Sequence, residues 1–353
     1  MLIALFVIIG LSLLILGHEA GHFLAAKYFK LKVDEFGFGF PPRIFAWRPK
    51  AKKSETEYSV NWLPFGGFVK IAGENAEIKS DTQKLEEISE EEKEQLFVFQ
   101  SVSRRSLIIL AGVTMNFIIG WFLISSVLMI GTPPVLIVSE VQAGSPAEEA
   151  GILQGDVIKN YTAADSFIKF VSGNRGKEIE VQVERGKKDL VFKVTPRAEV
   201  DPKQGALGVF LAEGGVPRQG FFNAIYTGLK QSVVIVGLTI SALYELLKNL
   251  ILHGSLISGI VGPVGIFGVA QQAGEIGFIY LLQLMSLISL NLAVVNLIPF
   301  PALDGGRFLM ILIEKIKGSP IPRRVEALVN GLGFAFLIFL MAILTIRDIA
   351  RWF

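Results

Sequence analysis

His18, Glu19 and His22 stand in the order His-Glu-Ala-Gly-His, two histidines four residues apart with a carboxylic acid beside the first. On an α-helix that spacing puts both imidazoles on one face, one turn apart. Two imidazole nitrogens so placed can converge on one zinc ion, at about 2.0–2.1 Å each. Glu19 then comes within reach of a water on that ion, whose pKa zinc brings down to roughly 7. The carboxylate would take the water's proton and later hand it to a leaving amine. The chain holds three histidines, His18, His22 and His253, and no cysteine. Disulfides, thiolate metal sites and cysteine nucleophiles are therefore excluded. The alternative, a histidine pair satisfied by its neighbours, is costly here. Residues 2–17 are apolar and uncharged, and ionisable groups inside a membrane helix are rare and usually functional.

A catalytic zinc normally has three protein ligands and one open position. The continuation Phe23-Leu24-Ala25-Ala26-Lys27-Tyr28 offers no third histidine, and His253, before Gly254, reads as a surface histidine. Asp304 is the stronger candidate. It stands in Asn296-Leu-Ile-Pro299-Phe-Pro301-Ala-Leu-Asp304-Gly305-Gly306. There prolines and glycines end an apolar run and free backbone groups to line a polar cavity. The alternative for Asp304 is a helix-terminal turn residue.

The elements that must position these groups are membrane spans. Over 353 residues the chain is 51% hydrophobic with a mean hydropathy of +0.52, more apolar than a wet surface allows a soluble domain to be. A net charge of +2 gives no reason to expect a nucleic-acid partner. Four segments read as transmembrane helices: 1–30, carrying the histidine motif; 104–130, interrupted by Asn116; 278–306, interrupted by Gln283, Asn291 and Asn296; and 329–353. The first lacks the basic start and small-residue cleavage site of a signal peptide, and reads as a retained helix.

Lys27, Lys30, Lys32, Arg43, Arg104 and Arg105 flank the first connection, and Arg307, Lys315, Lys317, Arg323 and Arg324 lie in the cytoplasmic loop 307–328. Between the second span and Lys159 there is no Lys or Arg. The positive-inside rule puts both basic connections in the cytoplasm and residues 131–220 outside. Arg347 and Arg351 pull the other way but are fewer. Within 201–277, read as an amphipathic or interfacial helical region, residues 221–252 are ambiguous, because the apolar run Ser232–Tyr244 is closely flanked by Lys230, Glu245 and Lys248. They could cross the bilayer or lie on it as an amphipathic helix. A crossing would deliver Asp304 to the face opposite His22, so the ligand geometry favours the interfacial reading, with four spans and both termini outside.

Residues 131–200 read as a small α+β module. Val135–Val141, Glu178–Glu184 and Asp189–Thr195 suit strands. Ser145-Pro146-Ala147-Glu148 suits a capping box, with Gly151 in the left-handed position that ends the helix. Residues 74–103 are an acidic cytoplasmic linker or helix, with nine acids against three lysines between 74 and 95.

These residues together resemble the site-2 protease family, in the bacterial branch that includes the regulator-of-sigma-E protease. The resemblance is carried by His18-Glu19-Ala20-Gly21-His22 in the first span and Asn296-x-x-Pro299-x-Pro301-x-Leu303-Asp304-Gly305-Gly306 in a later one, with a module between them. It implies a zinc cofactor held by His18, His22 and Asp304, Glu19 as catalytic base, and Asn296 engaging substrate near the scissile bond. A packing hydrogen bond between helices is the alternative for Asn296. The implied fold is a four-span α-helical membrane protein with a membrane re-entrant β-hairpin at 31–73 and an inserted PDZ-like α+β domain.

The PDZ likeness rests on Gly144-Ser145-Pro146-Ala147, Ala150-Gly151 and Gly155-Asp156. Such a domain could bind a peptide strand or act only as a steric filter. The implied activity is hydrolysis of peptide bonds in membrane-anchored protein substrates such as anti-sigma factors or signal-peptide remnants. The implied place is the bacterial inner membrane, with the module outside and the active site towards the cytoplasm. The competing classes are an inactive PDZ-bearing scaffold and an ion-coupled transporter. One departure stands out: relatives commonly carry Gly-Pro-x-x-Asn in the second span, and Gly112-Val113-Thr114-Met115-Asn116 lacks the proline.

Overall fold

The computed structural model describes residues 2–49, 56–74, 89–186, 188–199, 205–253 and 262–350. Most of the acidic run, residues 75–88, lies outside them; its described end is the one-turn helix α2 (Glu90–Lys93), capped by Ser89. The protein is mostly helical. Among the described residues five helices are long and apolar enough to cross a bilayer: α1 (Leu2–Tyr28), α3 (Val102–Ile130), α6 (Phe221–His253), α8 (Phe278–Leu297) and α10 (Arg323–Ala350). The segment read as interfacial, α6, is thus a continuous helix that qualifies by length and composition, and its most apolar stretch is unburied. The chain forms two compact units, one of Met1–Ile124, Gly228–Ala270 and Gln283–Phe353, the other of Ser125–Thr227 and Gln271–Leu282.

In the first unit α1 and α3 run in opposite directions at very close range. A Cβ on Gly21 would lie 2.8 Å from the Ala111 carbonyl carbon and 2.9 Å from Met115 Cβ, and one on Gly17 would strike Ile119. Gly17 and Gly21, one turn apart, form the small-residue face that lets membrane helices approach backbone to backbone. Helix α8 runs with α1: Met285 meets Gly10, Leu290 meets Gly120 of α3, and Ser289 Oγ donates to the Asn116 carbonyl at 2.8 Å. Asn291, one of the polar interruptions, accepts from Thr239 of α6 at 2.7 Å.

Helix α10 begins beside the break that follows α8, where Ala302 N–H donates to Asn330 Oδ1 at 3.2 Å and Pro301 packs on Gly333. Near its far end Asp348, 4% exposed, accepts from the backbone N–H groups of Gly262 and Gly265 at 3.2 and 2.8 Å. These are among the donors that the start of α7 (Pro263–Ile276) leaves free, and a carboxylate suits that end of a helix.

Strands β1 (Val33–Trp47) and β2 (Glu57–Ile71) pair more intricately than a plain hairpin. Phe36, Gly37 and Phe38 each have two partners, Val69, Phe68 and Gly67 on one half of β2 and Tyr58, Ser59 and Val60 on the other. The second half of β1 then pairs Phe45 with Val60 and Trp47 with Tyr58. Both strands therefore fold back, and residues 33–38 lie between the two halves of β2. Ser12 Oγ donates to the Pro64 carbonyl, and Gly67 lies against Leu16, so this sheet is held to α1 within the two turns before His18. Glu35, 6% exposed inside it, pairs with Arg43 at 2.6 Å and Lys70 at 3.5 Å.

The second unit contains an antiparallel sheet in the order β6-β5-β4-β3-β7, from β3 (Thr132–Val141), β4 (Val157–Ile158), β5 (Ile179–Arg185), β6 (Lys188–Val194) and β7 (Val209–Val216). Alternate residues of β5 (Ile179, Val181, Val183) join Leu136, Val138 and, from α5 (Ala164–Gly173), Phe167 and Val171 in one core. Ser145 caps α4 (Pro146–Ala150), accepting from Glu148 N–H at 3.2 Å, and Gly151 ends it at φ 88°. The reciprocal half of the expected capping box differs. Glu148 accepts from the N–H of Gly144 at 2.6 Å, because the N–H of Ser145 is already donated to the Gln142 carbonyl.

Candidate metal centre

His18 and His22 lie one helical turn apart on α1 and are 7% and 8% exposed. Their Nε2 atoms are 3.2 Å apart, and the rings meet edge to face at 87°. Asp304 is the first residue of α9 (Asp304–Lys317). Its Oδ2 lies 2.9 Å from His18 Nε2 and 3.2 Å from His22 Nε2. The approach depends on the broken segment after α8, where Ala302 takes φ 71°. It also depends on Gly305 and Gly306, whose absent Cβ atoms would run into the carbonyls of Leu297, Ile298 and Phe300.

This triangle fits zinc. Ligand atoms held at about 2.0–2.1 Å in tetrahedral geometry stand about 3.3 Å from one another, and the three edges here measure 2.9, 3.2 and 3.2 Å. Without a shared cation, two buried imidazoles and a half-buried carboxylate would crowd one point, with Asp304 Oδ2 lacking a well-directed hydrogen bond. Two imidazoles and one carboxylate are the donor set of many catalytic zinc sites.

The outer faces of the histidines are held by α3. His22 Nδ1–H donates to the Ile108 carbonyl at 2.8 Å, which leaves the Nε2 lone pair free to ligate. Gly112, one turn after Ile108, has no side chain to fill the space taken by the two rings. The Asn116 amide lies 3.2 Å from His18 Nδ1 and the residue is 1% exposed.

Glu19 is half-buried, and its carboxyl interacts electrostatically with His18, His22 and Asp304. Asn296 is half-buried on the last turn of α8. His253, exposed at the end of α6, stays outside the cluster. Two charged residues that the motifs do not reveal, Arg307 and Glu74, are joined at 2.6 Å. They line a cavity of about 940 Å³ with a second pair, Arg105–Glu314 at 2.8 Å. The clue in the sequence was a lone arginine one turn after Asp304.

Residues 6–340 match peptidase family M50. A Clostridium perfringens protein whose name describes a zinc metalloprotease is 32% identical, with 98% of each chain covered. The regulator of sigma-W protease RasP of Bacillus subtilis is 30% identical, with 99% of this chain and 98% of the relative covered. The zinc metalloprotease RasP of Bacillus licheniformis is 30% identical over 96% and 97% of the two chains.

Proposed function

The chain belongs to peptidase family M50, as a zinc metalloendopeptidase of the site-2 protease type, and on that premise we propose that it cuts membrane-anchored proteins within the bilayer, with His18, His22 and Asp304 as the zinc ligands. The observation that carries this reading is the triangle of Nε2, Nε2 and Oδ2 atoms, 2.9–3.2 Å on a side. An inactive scaffold or a transporter has no need of that triangle with a glutamate beside it.

Zinc held by His18, His22 and Asp304 would supply Lewis acidity towards the scissile carbonyl and would lower the pKa of a water beside Glu19 to about 7. Glu19 takes one proton from the attacking water and returns it to the leaving amide nitrogen. The water's oxygen ends on the carbonyl carbon and the C–N bond breaks. Asn296 donates its amide N–H groups to the substrate backbone, fixing the carbonyl beside Glu19. The folded-back sheet of β1 and β2, bonded to α1 through Ser12, offers an edge on which an unwound substrate segment can pair before attack.

We place four crossings in the membrane: α1, α3, α8 and α10. The direction of packing supports this. Ile108 meets His22 while Ile119 meets Gly17, so α3 ends at the level where α1 begins. Gln219, just before α6, donates its N–H to the Leu128 carbonyl at that end of α3. Gly262, after α6, meets Leu344 and Asp348 near the end of α10, remote from Asn330 and Pro301. The Gly262 flank of α6 therefore belongs to the end away from Asp304, while Thr239, midway along α6, donates to Asn291 of α8 at 2.7 Å, which suits a partly immersed helix. With the basic loops inside, the metal centre faces the cytoplasm, in a bacterial inner membrane. The α+β module lies outside as a PDZ-like domain that reads a peptide or filters substrates by size.

The test is Glu19→Gln in purified protein co-reconstituted with a reporter that has one transmembrane segment and a short outer stub. Zinc content should stay at the wild-type level while cleavage of the reporter disappears. Undiminished cleavage would remove Glu19 from the mechanism, and loss of zinc would make it a ligand instead.

A further inference from the structure

Asn116 is a large polar side chain in the middle of an apolar helix, yet it is 1% exposed. Burying an amide without partners costs several kcal/mol in hydrocarbon, so what its side chain touches is informative. The contact is His18 Nδ1, at 3.2 Å and across 98 residues of sequence. Its own backbone carbonyl is tied to Ser289 Oγ of α8 at 2.8 Å. The residue is thus fixed from two sides at the level of the metal centre.

A neutral imidazole has one N–H and one lone pair. His18 Nε2 belongs to the ligand triangle, so as a ligand it must offer the lone pair, and the proton must sit on Nδ1. The group facing Nδ1 then has to accept. With Nδ2 towards His18 two donors would meet, and Oδ1 would stay buried without a partner. Turning the amide over brings Oδ1 to accept the Nδ1–H, so that the buried oxygen gains a partner and two donors no longer face each other. An amide differs little in shape between these two orientations.

We propose that Asn116 is a positioning residue that selects the His18 tautomer and ring orientation needed for zinc, as the Ile108 carbonyl does for His22. This rests on His18 being a zinc ligand. Helix α3, which provides no ligand, then acts as the outer shell for both histidines. Such partners are worth about 10–100-fold in metal affinity.

The experiment compares zinc affinity, by competition with a chromophoric chelator, in detergent-purified wild-type protein and in Asn116→Leu and Asn116→Asp. Leucine keeps the volume and removes the acceptor; aspartate keeps an acceptor and adds a buried acid. The expected order is aspartate near wild type and leucine weaker by about 10–100-fold. A residue that merely packs helices predicts the reverse, since leucine suits an apolar interface and a buried acid does not. Wild-type affinity in the leucine variant, or an equal loss in both, overturns the proposal.

Should the leucine variant not fold, ¹⁵N-histidine spectra of the zinc-loaded wild type decide alone. A His18 Nδ1–H coupled across a hydrogen bond to the Asn116 side-chain carbonyl supports the proposal; an Nδ1–H without that coupling, or a proton on Nε2, overturns it. His18→Ala separates the two levels of the argument. If it binds zinc like the wild type, the ligand assignment fails; if it loses zinc while Asn116→Leu does not, only the positioning role fails.

Discussion

Gly112→Ala adds one methyl group, and two opposing effects can be weighed for it. Alanine is the better helix former by about 0.8–1.0 kcal/mol, so propensity alone predicts a stabler α3. The new Cβ, however, would lie 2.5 Å from His22 Cε1 and 2.8 Å from His18 Cε1, with His22 Nε2 nearer still. Carbon atoms rest at about 3.5–4.0 Å, so the rings or the helices must yield by roughly 1 Å. Neither ring is free to turn. His22 is held by the Ile108 carbonyl at 2.8 Å and His18 faces Asn116 at 3.2 Å.

Overpacking of this kind costs about 1–3 kcal/mol. It falls on the two ligand rings, so it should appear in metal binding, where 1–3 kcal/mol is about 5–150-fold. We expect zinc dissociation constants from chelator competition to rise within that range and reporter cleavage to fall with them. Gly237→Ala is the control, since nothing lies within 4 Å of a Cβ there. It should leave both readouts unchanged. Wild-type zinc affinity in Gly112→Ala would refute the claim that α3 presses its backbone against the ligand pair.

Asn296→Ala should lower reporter cleavage while zinc content and the unfolding temperature stay at wild-type values; a parallel loss of folding would return Asn296 to a packing role. In the second unit Arg185 holds Asp156, 1% exposed, through contacts of 2.6 and 2.7 Å. Arg185→Ala strands that buried acid and should destabilise the α+β module by about 3–5 kcal/mol, read as faster proteolysis between β3 and β7 in the intact protein. Equal proteolysis rates would show that the pair contributes little.

The sequence by itself determined whatever depends on near neighbours along the chain. His18 and His22 declared a shared face because helical spacing is local, and Ser145, Pro146 and Gly151 declared a short capped helix for the same reason. The apolar runs announced spans, and the Pro-Gly break announced that Asp304 would stand at the end of one. Long-range geometry needed the fold. A strand pattern tells that residues 33–47 and 57–71 are extended, but not that Phe36 serves two partners, because alternation carries no register. Asn116 stood out as a polar interruption that ends a Gly-x-x-x-Asn pattern, with nothing to say what it touches, and Ile108 looked like one more apolar residue. Their meeting with His18 and His22 spans 98 and 86 residues, and no local rule reaches that far. It follows from two helices brought to backbone contact at Gly21 and Gly112. There the absence of side chains lets one helix supply the ligands and the other hold them in orientation.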